Sequence, residues 1–93
     1  MAYALLAHPV AQKELEALPA AIAAGLRKVL VALSEAPRDP RFDLRPLRGQ
    51  TDRPRPLRLR VGEYRVILQI YHDLEEIRVA RVGHRSNVYR HLT

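Results

Sequence analysis

The chain has no cysteine, no tryptophan, one phenylalanine and only two lysines among its sixteen cationic residues. Without thiols there are no disulfides, no thiolate nucleophile and no thiolate metal site. With four tyrosines as the remaining aromatics, the core must be assembled from Leu, Val, Ile and Ala. The same scarcity argues against a base-stacking platform for free single strands. No apolar run approaches the ~18 residues of a membrane span, and no basic start leads into an apolar stretch and cleavage site. The expectation is a soluble, cytoplasmic, single-domain protein spanning residues 1–93, a length sufficient for one packed core.

What the chain has in excess is arginine. Its formal net charge is +6, and all cations other than Lys13 and Lys28 are Arg. Arg presents a planar five-donor fork suited to phosphate, whereas Lys is a mobile point charge. GC-rich coding would also enrich Arg, Ala and Pro, so position carries more weight than composition. Residues 1–36 hold three cations and three acids. Residues 37–65 hold nine Arg against four acids, and residues 66–93 four Arg against three. The excess is concentrated in the middle third, as a basic patch requires.

Tyr3 to Ala7 reads as a first strand stopped by His8-Pro9. Pro9 suits the first turn of a helix, and Ala11, Leu15 and Leu18 give that helix an apolar face that Pro19 closes. Ile22, Leu26, Val29, Leu30 and Leu33 form the apolar stripe of a second helix, ended by Pro37. Five of the seven prolines fall in residues 37–56, a surface connection containing a short extended piece at Leu44–Leu47. Loops of this length are often functional.

From Leu57 the period becomes two. Leu57, Leu59 and Val61 alternate with Arg58 and Arg60; after Gly62-Glu63, Tyr64, Val66, Leu68 and Ile70 alternate with Arg65, Ile67, Gln69 and Tyr71. This predicts a hairpin with a type II′ turn, followed by a third strand over Ile77–Val82. The fold class is α+β: an N-terminal strand, a helical hairpin, and a three-stranded antiparallel meander with the helices on one face. The turn forces Val61 opposite Tyr64, Arg60 opposite Arg65, Leu59 opposite Val66 and Arg58 opposite Ile67. One face is then a core face, and the other carries Arg58, Arg60 and Arg65. Like charges directly opposite on a sheet repel by a fraction of a kcal/mol up to ~1. Two readings fit that face: a solvated surface with Glu63, Asp52 or the C-terminus as counter-ions, or an anion site. The tail Gly83-His84-Arg85-Ser86-Asn87-Val88-Tyr89-Arg90, folded back beside it, would add proton-transfer groups. Cations, a phosphate ester and a titratable group suffice for metal-free RNA cleavage. The 2′-hydroxyl attacks, a base takes its proton, and Arg stabilises charge at phosphorus. His8, His72, His84 and His91 show no close paired spacing, so neither a metal nor a cofactor is expected.

The string Leu57-Arg58-Leu59-Arg60-Val61-Gly62-Glu63-Tyr64-Arg65-Val66-Ile67 resembles the R-x-G-x-Y-R-hydrophobic signature of the RelE/ParE toxin superfamily. Val82-Gly83-His84-Arg85 followed by Val88-Tyr89 is similar to its C-terminal motif. Leu18-Pro19, the Pro37 stop and Leu47-Arg48-Gly49 resemble its middle section, so the likeness spans essentially the whole chain. It implies a RelE-like fold and the toxin of a type II toxin–antitoxin pair. In the RelE-like branch this is a ribosome-dependent, metal-independent mRNA endoribonuclease that inhibits translation, with a cognate antitoxin and ribosome-bound mRNA as partners. The alternatives are a ParE-like DNA gyrase inhibitor and a non-catalytic homologue. Carried over by position, the catalytic set is Arg65 on phosphate, Arg85 on phosphate or leaving group, Tyr89 as general base and Arg58 where the branch has Lys. A second Lys of that branch falls at Pro56 and is missing; Arg60 is the available substitute. Tyr89, with a reference pKa near ~10, needs neighbouring cations to titrate usefully, and His84 is the rival base. RNA contacts are expected from Arg60, Arg48, Arg90 and His84. The remaining loop residues Arg38, Arg41, Arg45, Arg53 and Arg55 read as a solvated surface able to grip ribosomal RNA. One proposition joins these roles: Arg58, Arg65 and Arg85 converge on one scissile-phosphate pocket beside Tyr89.

Overall fold

A computed structural model of the chain describes residues 2–88. Strand β1 (Ala4–Ala7) runs into helix α1 (Pro9–Glu16), helix α2 (Ala20–Glu35), then strands β2 (Leu44–Pro46), β3 (Leu57–Val61), β4 (Tyr64–Tyr71) and β5 (Glu76–His84). The strands form one sheet in the order β1-β5-β4-β3-β2. Only the β1–β5 pair is parallel; the helical hairpin carries the chain from β1 at one edge of the sheet to β2 at the other, and β5 returns to lie beside β1.

Local chemistry accounts for the helix starts. His8 caps α1 through Nδ1, which accepts from the Val10 N–H at 3.1 Å, and Pro9 occupies the first turn, where its missing N–H costs nothing. The α2 stripe is buried at Ala23, Leu26, Leu30 and Leu33, with Ile22 and Val29 partly buried beside it. These residues pack on Leu59, Val66, Leu68, Ile70, Ile77, Val79 and Val82, with Ala11 joining from α1. The helices therefore cover one face of the sheet, and the core is aliphatic. No helix among the described residues is long and apolar enough to cross a membrane.

Three features differ from the reading of the sequence. The extended piece at Leu44–Leu47 is a true edge strand, Leu44–Pro46, paired antiparallel with β3; five nearby prolines obscure its alternation. The last strand reaches His84 rather than Val82, because Gly83 and His84 still pair with Arg65 and Tyr64. Third, the β4–β5 register shifts between Ile67 and Leu68: Val66 opposes Val82, but Leu68 opposes Val79. Two residues on β4 thus span three on β5, the signature of a bulge. Strict alternation would put Val79 and Val82 on opposite faces; the bulge turns both inward, 3% and 2% exposed.

Because β1 ends at Ala7, paired with Val79, β5 beyond Val79 has no strand on its outer side, and Glu14 from α1 fills the gap. Its carboxylate accepts from Val82 N–H at 3.0 Å and from Arg81 Nε and Nη2 at 3.0 and 2.8 Å. Hydrogen bonding to Glu14 raises the Arg81 pKa. The pair is largely shielded, with side-chain exposures of 16% for Arg81 and 24% for Glu14. Glu14→Ala is therefore expected to destabilise the protein by about 2 kcal/mol and to lower the melting temperature by roughly 10 °C. Thermal denaturation followed by circular dichroism measures this, and an unchanged midpoint removes the carboxylate from the list of structural contacts.

Candidate functional site

The β3–β4 hairpin has the predicted pairing throughout: Val61 faces Tyr64, Arg60 faces Arg65, Leu59 faces Val66 and Arg58 faces Ile67. Gly62 has φ +58°, and Glu75 is the only non-glycine with positive φ among the described residues. A positive φ at the first turn position alone fits type II′ and excludes type I′, which needs it at both. The turn thus sets every alternate side chain of β3 and β4 on a fixed face. Arg58, Arg60 and Arg65 share the face turned away from the helices, and Arg45, directly opposite Arg58 on β2, joins them there.

These cations are held differently. Arg65 Nη1 donates to the carbonyl oxygens of Gly62 and Tyr64 at 2.8 and 2.9 Å, which fixes the side chain at the turn with neutral acceptors and leaves its charge uncompensated. Arg85 reaches the same turn: its N–H donates to the Glu63 carbonyl at 2.8 Å and its Nε pairs with the Glu63 carboxylate. Arg60 lies 3.8 Å from Asp43, which also holds Arg45 at 3.3 Å. Asp43, rather than Asp52, is thus the counter-ion beside this face. Among the described residues Arg58 and Arg48 have no acidic partner; both line a cleft of about 450 Å³ with Arg45, Pro46 and Leu47.

The structure therefore brings Arg65 and Arg85 together at the hairpin turn, and directs Arg58 toward Arg45 and Arg48 further along β3. The tail folds back over the sheet: Val88, 1% exposed, sits over Gly83, where an added Cβ would lie 3.5 Å from that of Val88. Gly83 in turn opposes Arg65. Tyr89 and Arg90 lie outside the described residues. His84 is elsewhere: it opposes Tyr64, its ring standing edge-on to the tyrosine at 5.5 Å, on the face opposite to Arg60 and Arg65. Its Nδ1 is engaged by Ser86 Oγ at 2.9 Å. Pro56 is buried and its carbonyl accepts from Leu47 N–H at 2.9 Å, so that position is a backbone staple between the loop and β3.

Sequence reading placed Arg45 in a solvated loop and assigned no role to Asp43. The alternation Leu44-Arg45-Pro46 was the available signal, too short to stand out. Buried Ile67, 2% exposed, is the other unexpected residue of this face; it lies between Arg65 and Gln69, whose Nε2 donates to the Pro54 carbonyl at 2.7 Å. The proline-rich loop and the returning tail thus both touch the face that the alternation alone leaves open. Because Gly62 sits at positive φ with open space where a Cβ would be, Gly62→Ala is expected to cost about 1–2 kcal/mol of backbone strain, and Gly62→Asn distinctly less. Denaturant midpoints of the two variants measure the difference.

Residues 5–89 match the profile of the ParE toxin of type II toxin–antitoxin system, parDE. Among solved structures, the chain is similar to the archaeal RelE–RelB complex from Pyrococcus horikoshii, at 27% identity and TM-score 0.75 over 95% of this chain and 100% of that one. It is also similar to the intact Escherichia coli RelBE toxin–antitoxin complex, at 28% identity and TM-score 0.70 over 89% and 96%. A third is the RelBE2 toxin–antitoxin complex from Mycobacterium tuberculosis, at 25% identity and TM-score 0.73 over 91% and 100%. A comparison with curated protein sequences finds no match. An arginine-bearing hairpin face, a tail returning over it and a profile match across nearly the entire length agree: the chain belongs to the ParE toxin family of the RelE/ParE superfamily, the toxins of type II toxin–antitoxin systems.

Proposed function

We propose that this protein is a metal-independent endoribonuclease that cuts mRNA on the ribosome and is held inactive by a cognate antitoxin. The observation that carries the reading is the pair Arg65 and Arg85, both held at the Gly62–Glu63 turn, with the tail bent over the same face through Val88. A phosphodiester seated there meets guanidinium groups from a strand and from the tail. The substrate's 2′-oxygen attacks phosphorus, the P–O5′ bond breaks, and a cyclic phosphate and a 5′-hydroxyl result. Arg65 and Arg85 stabilise the charge gathering on the phosphoryl oxygens. A general base takes the 2′ proton and an acid supplies one to the departing 5′-oxygen. By family resemblance the base is Tyr89, the residue that follows Val88.

Arg85 is paired with Glu63 in the free protein. Both side chains of this pair are more than half exposed, and exposed ion pairs are weak, so a dianionic transition state competes well for the guanidinium. Dependence on the ribosome accords with the scarcity of aromatic side chains for gripping unstructured strands. An antitoxin partner is supported by the neighbours in solved complexes, which are toxin–antitoxin pairs.

A second reading, a DNA gyrase inhibitor, draws on the ParE profile and on buried Pro56 in place of a second cation. One pair of assays separates them. In a translating extract, the antitoxin-free protein is expected to cleave message with EDTA present, and Arg65→Ala and Arg85→Ala each to lower kcat by about 10²–10³-fold, read by mapping of message ends. Intact message combined with inhibited gyrase supercoiling would select the second reading.

A further inference from the structure

The side of the molecule away from the arginine face carries an unmatched pattern of its own. Helix α2 buries Leu26, Leu30 and Leu33, yet its solvent side presents Val31, 48% exposed. Four residues before it stands Arg27 and four residues after it Glu35, both exposed. Spacings of four keep Arg27, Val31 and Glu35 in one row on the helix surface. An apolar residue thus sits between a cation and an acid, each about 6 Å from it along the axis. The ion pairs of the described residues all lie elsewhere. Arg27 and Glu35 are eight positions apart, about 12 Å along the helix, too far to pair with each other.

This row is complementary to itself. A two-fold axis through Val31 runs a second α2 antiparallel to the first and sets valine on valine. It also places Arg27 of each copy opposite Glu35 of the other, giving two ion pairs from one row. Small neighbours Ala24, Gly25 and Ala32 flank the row on one side, and even a Cβ at Gly25 would meet nothing within 4 Å, so a second helix can lie close. On the other side a groove of about 330 Å³, walled by Leu5, Leu15 and Leu30, adds apolar surface, with Leu5 itself 37% exposed. Residues 1–36, which supply this side of the molecule, hold three cations and three acids. Two copies therefore approach here without the repulsion that their arginine faces would impose.

We infer that the solvent face of α2, centred on Val31, is a homodimer interface whose occupant is a second copy of this chain. A peptide of one charge sign satisfies only one end of the row, whereas an antiparallel copy satisfies both. The helices and the face bearing Arg58, Arg60 and Arg65 lie on opposite sides of the sheet, so dimerisation leaves that face open in each copy. The inference does not depend on what that face does. A contact built on one helix pair belongs with the small, transient interfaces below ~1,200 Å², so monomer and dimer exchange with concentration.

The chain has no cysteine, so Val31→Cys places a single thiol at the two-fold axis. Mild oxidation of this full-length, antitoxin-free variant is expected to give a disulfide-linked dimer. Leu74→Cys, at a site 54% exposed on the β4–β5 turn, is expected to stay monomeric. Sedimentation equilibrium of cysteine-free variants supplies the second readout. Arg27→Glu and Glu35→Arg each create two like-charge contacts by symmetry, and each is expected to raise the dimer dissociation constant about tenfold. The double exchange Arg27→Glu with Glu35→Arg restores it, and Lys13→Glu on α1 leaves it unaltered. Circular dichroism melts establish that the variants are folded. A wild type that sediments as a monomer at every concentration overturns the inference, as does a dimer indifferent to both reversals. Val31→Cys linking no faster than Leu74→Cys counts against it equally. A monomeric protein whose antitoxin binding is weakened by Arg27→Glu overturns it in favour of an antitoxin segment on this face.

Discussion

A two-residue connection with φ +58° at Gly62 determines which residues of β3 and β4 face the helices and which face away. Side chains on a strand alternate with period two, so the length of this turn decides the matter for the whole hairpin. Leu59, Val66 and Leu68 are at most 1% exposed because of it, and Arg58, Arg60 and Arg65 are gathered on the opposite surface by the same constraint. The core and the cationic face are therefore two outcomes of one backbone geometry. The carbonyls of Gly62 and Tyr64 then reuse the turn to orient Arg65, and the carbonyl and carboxylate of Glu63 reuse it for Arg85.

The arginines divide into two populations by what they touch. Arg41, Arg78 and Arg81 are each matched to a carboxylate, Asp39, Glu76 and Glu14. Hydrogen bonding in those pairs raises the pKa of all three guanidinium groups and lowers that of Asp39. Arg78 in addition lies 4.1 Å above the Tyr71 ring, a cation–π contact. Arg48, Arg58 and Arg65 have no carboxylate at all among the described residues, and they cluster on the face where β2, β3 and β4 meet. An even scatter of acids would have screened that face. Asp43 and Glu63 stand beside it but are engaged by Arg45, Arg60 and Arg85, so the overall charge of +6 is felt most at Arg48, Arg58 and Arg65.

The hairpin, its register and both helices were legible from periodicity because the signals were long: five stripe positions on α2 and seven alternating positions across β3 and β4. The helix stops were legible because proline cannot continue them. Edge strand β2 was nearly invisible, with three residues inside a proline-rich stretch. The β5 bulge was present only as the three-residue spacing of Val79 and Val82, which breaks the period of two that a strand keeps. Of the site, the face shared by Arg58, Arg60 and Arg65 followed from alternation alone. The engagement of His84 with Tyr64 and Ser86 did not, because it depends on the strand running two residues beyond its last apolar position. Tertiary partners such as Asp43 for Arg45 and Arg60 have no sequence signature at all.

The carboxylate of Glu14 has a significance beyond its local bonds. Where β1 ends at Ala7 and β5 continues to His84, the outer flank of β5 would expose main-chain groups ready to recruit a strand from another molecule. A helix side chain bonded to the Val82 N–H occupies that flank, and Arg81, the residue after the inserted Ala80, seals it with charge. In a chain this rich in Val, Leu and Ile, the acid on α1 serves as a guard against edge-to-edge aggregation, at a place where lengthening the first strand would have been the other solution.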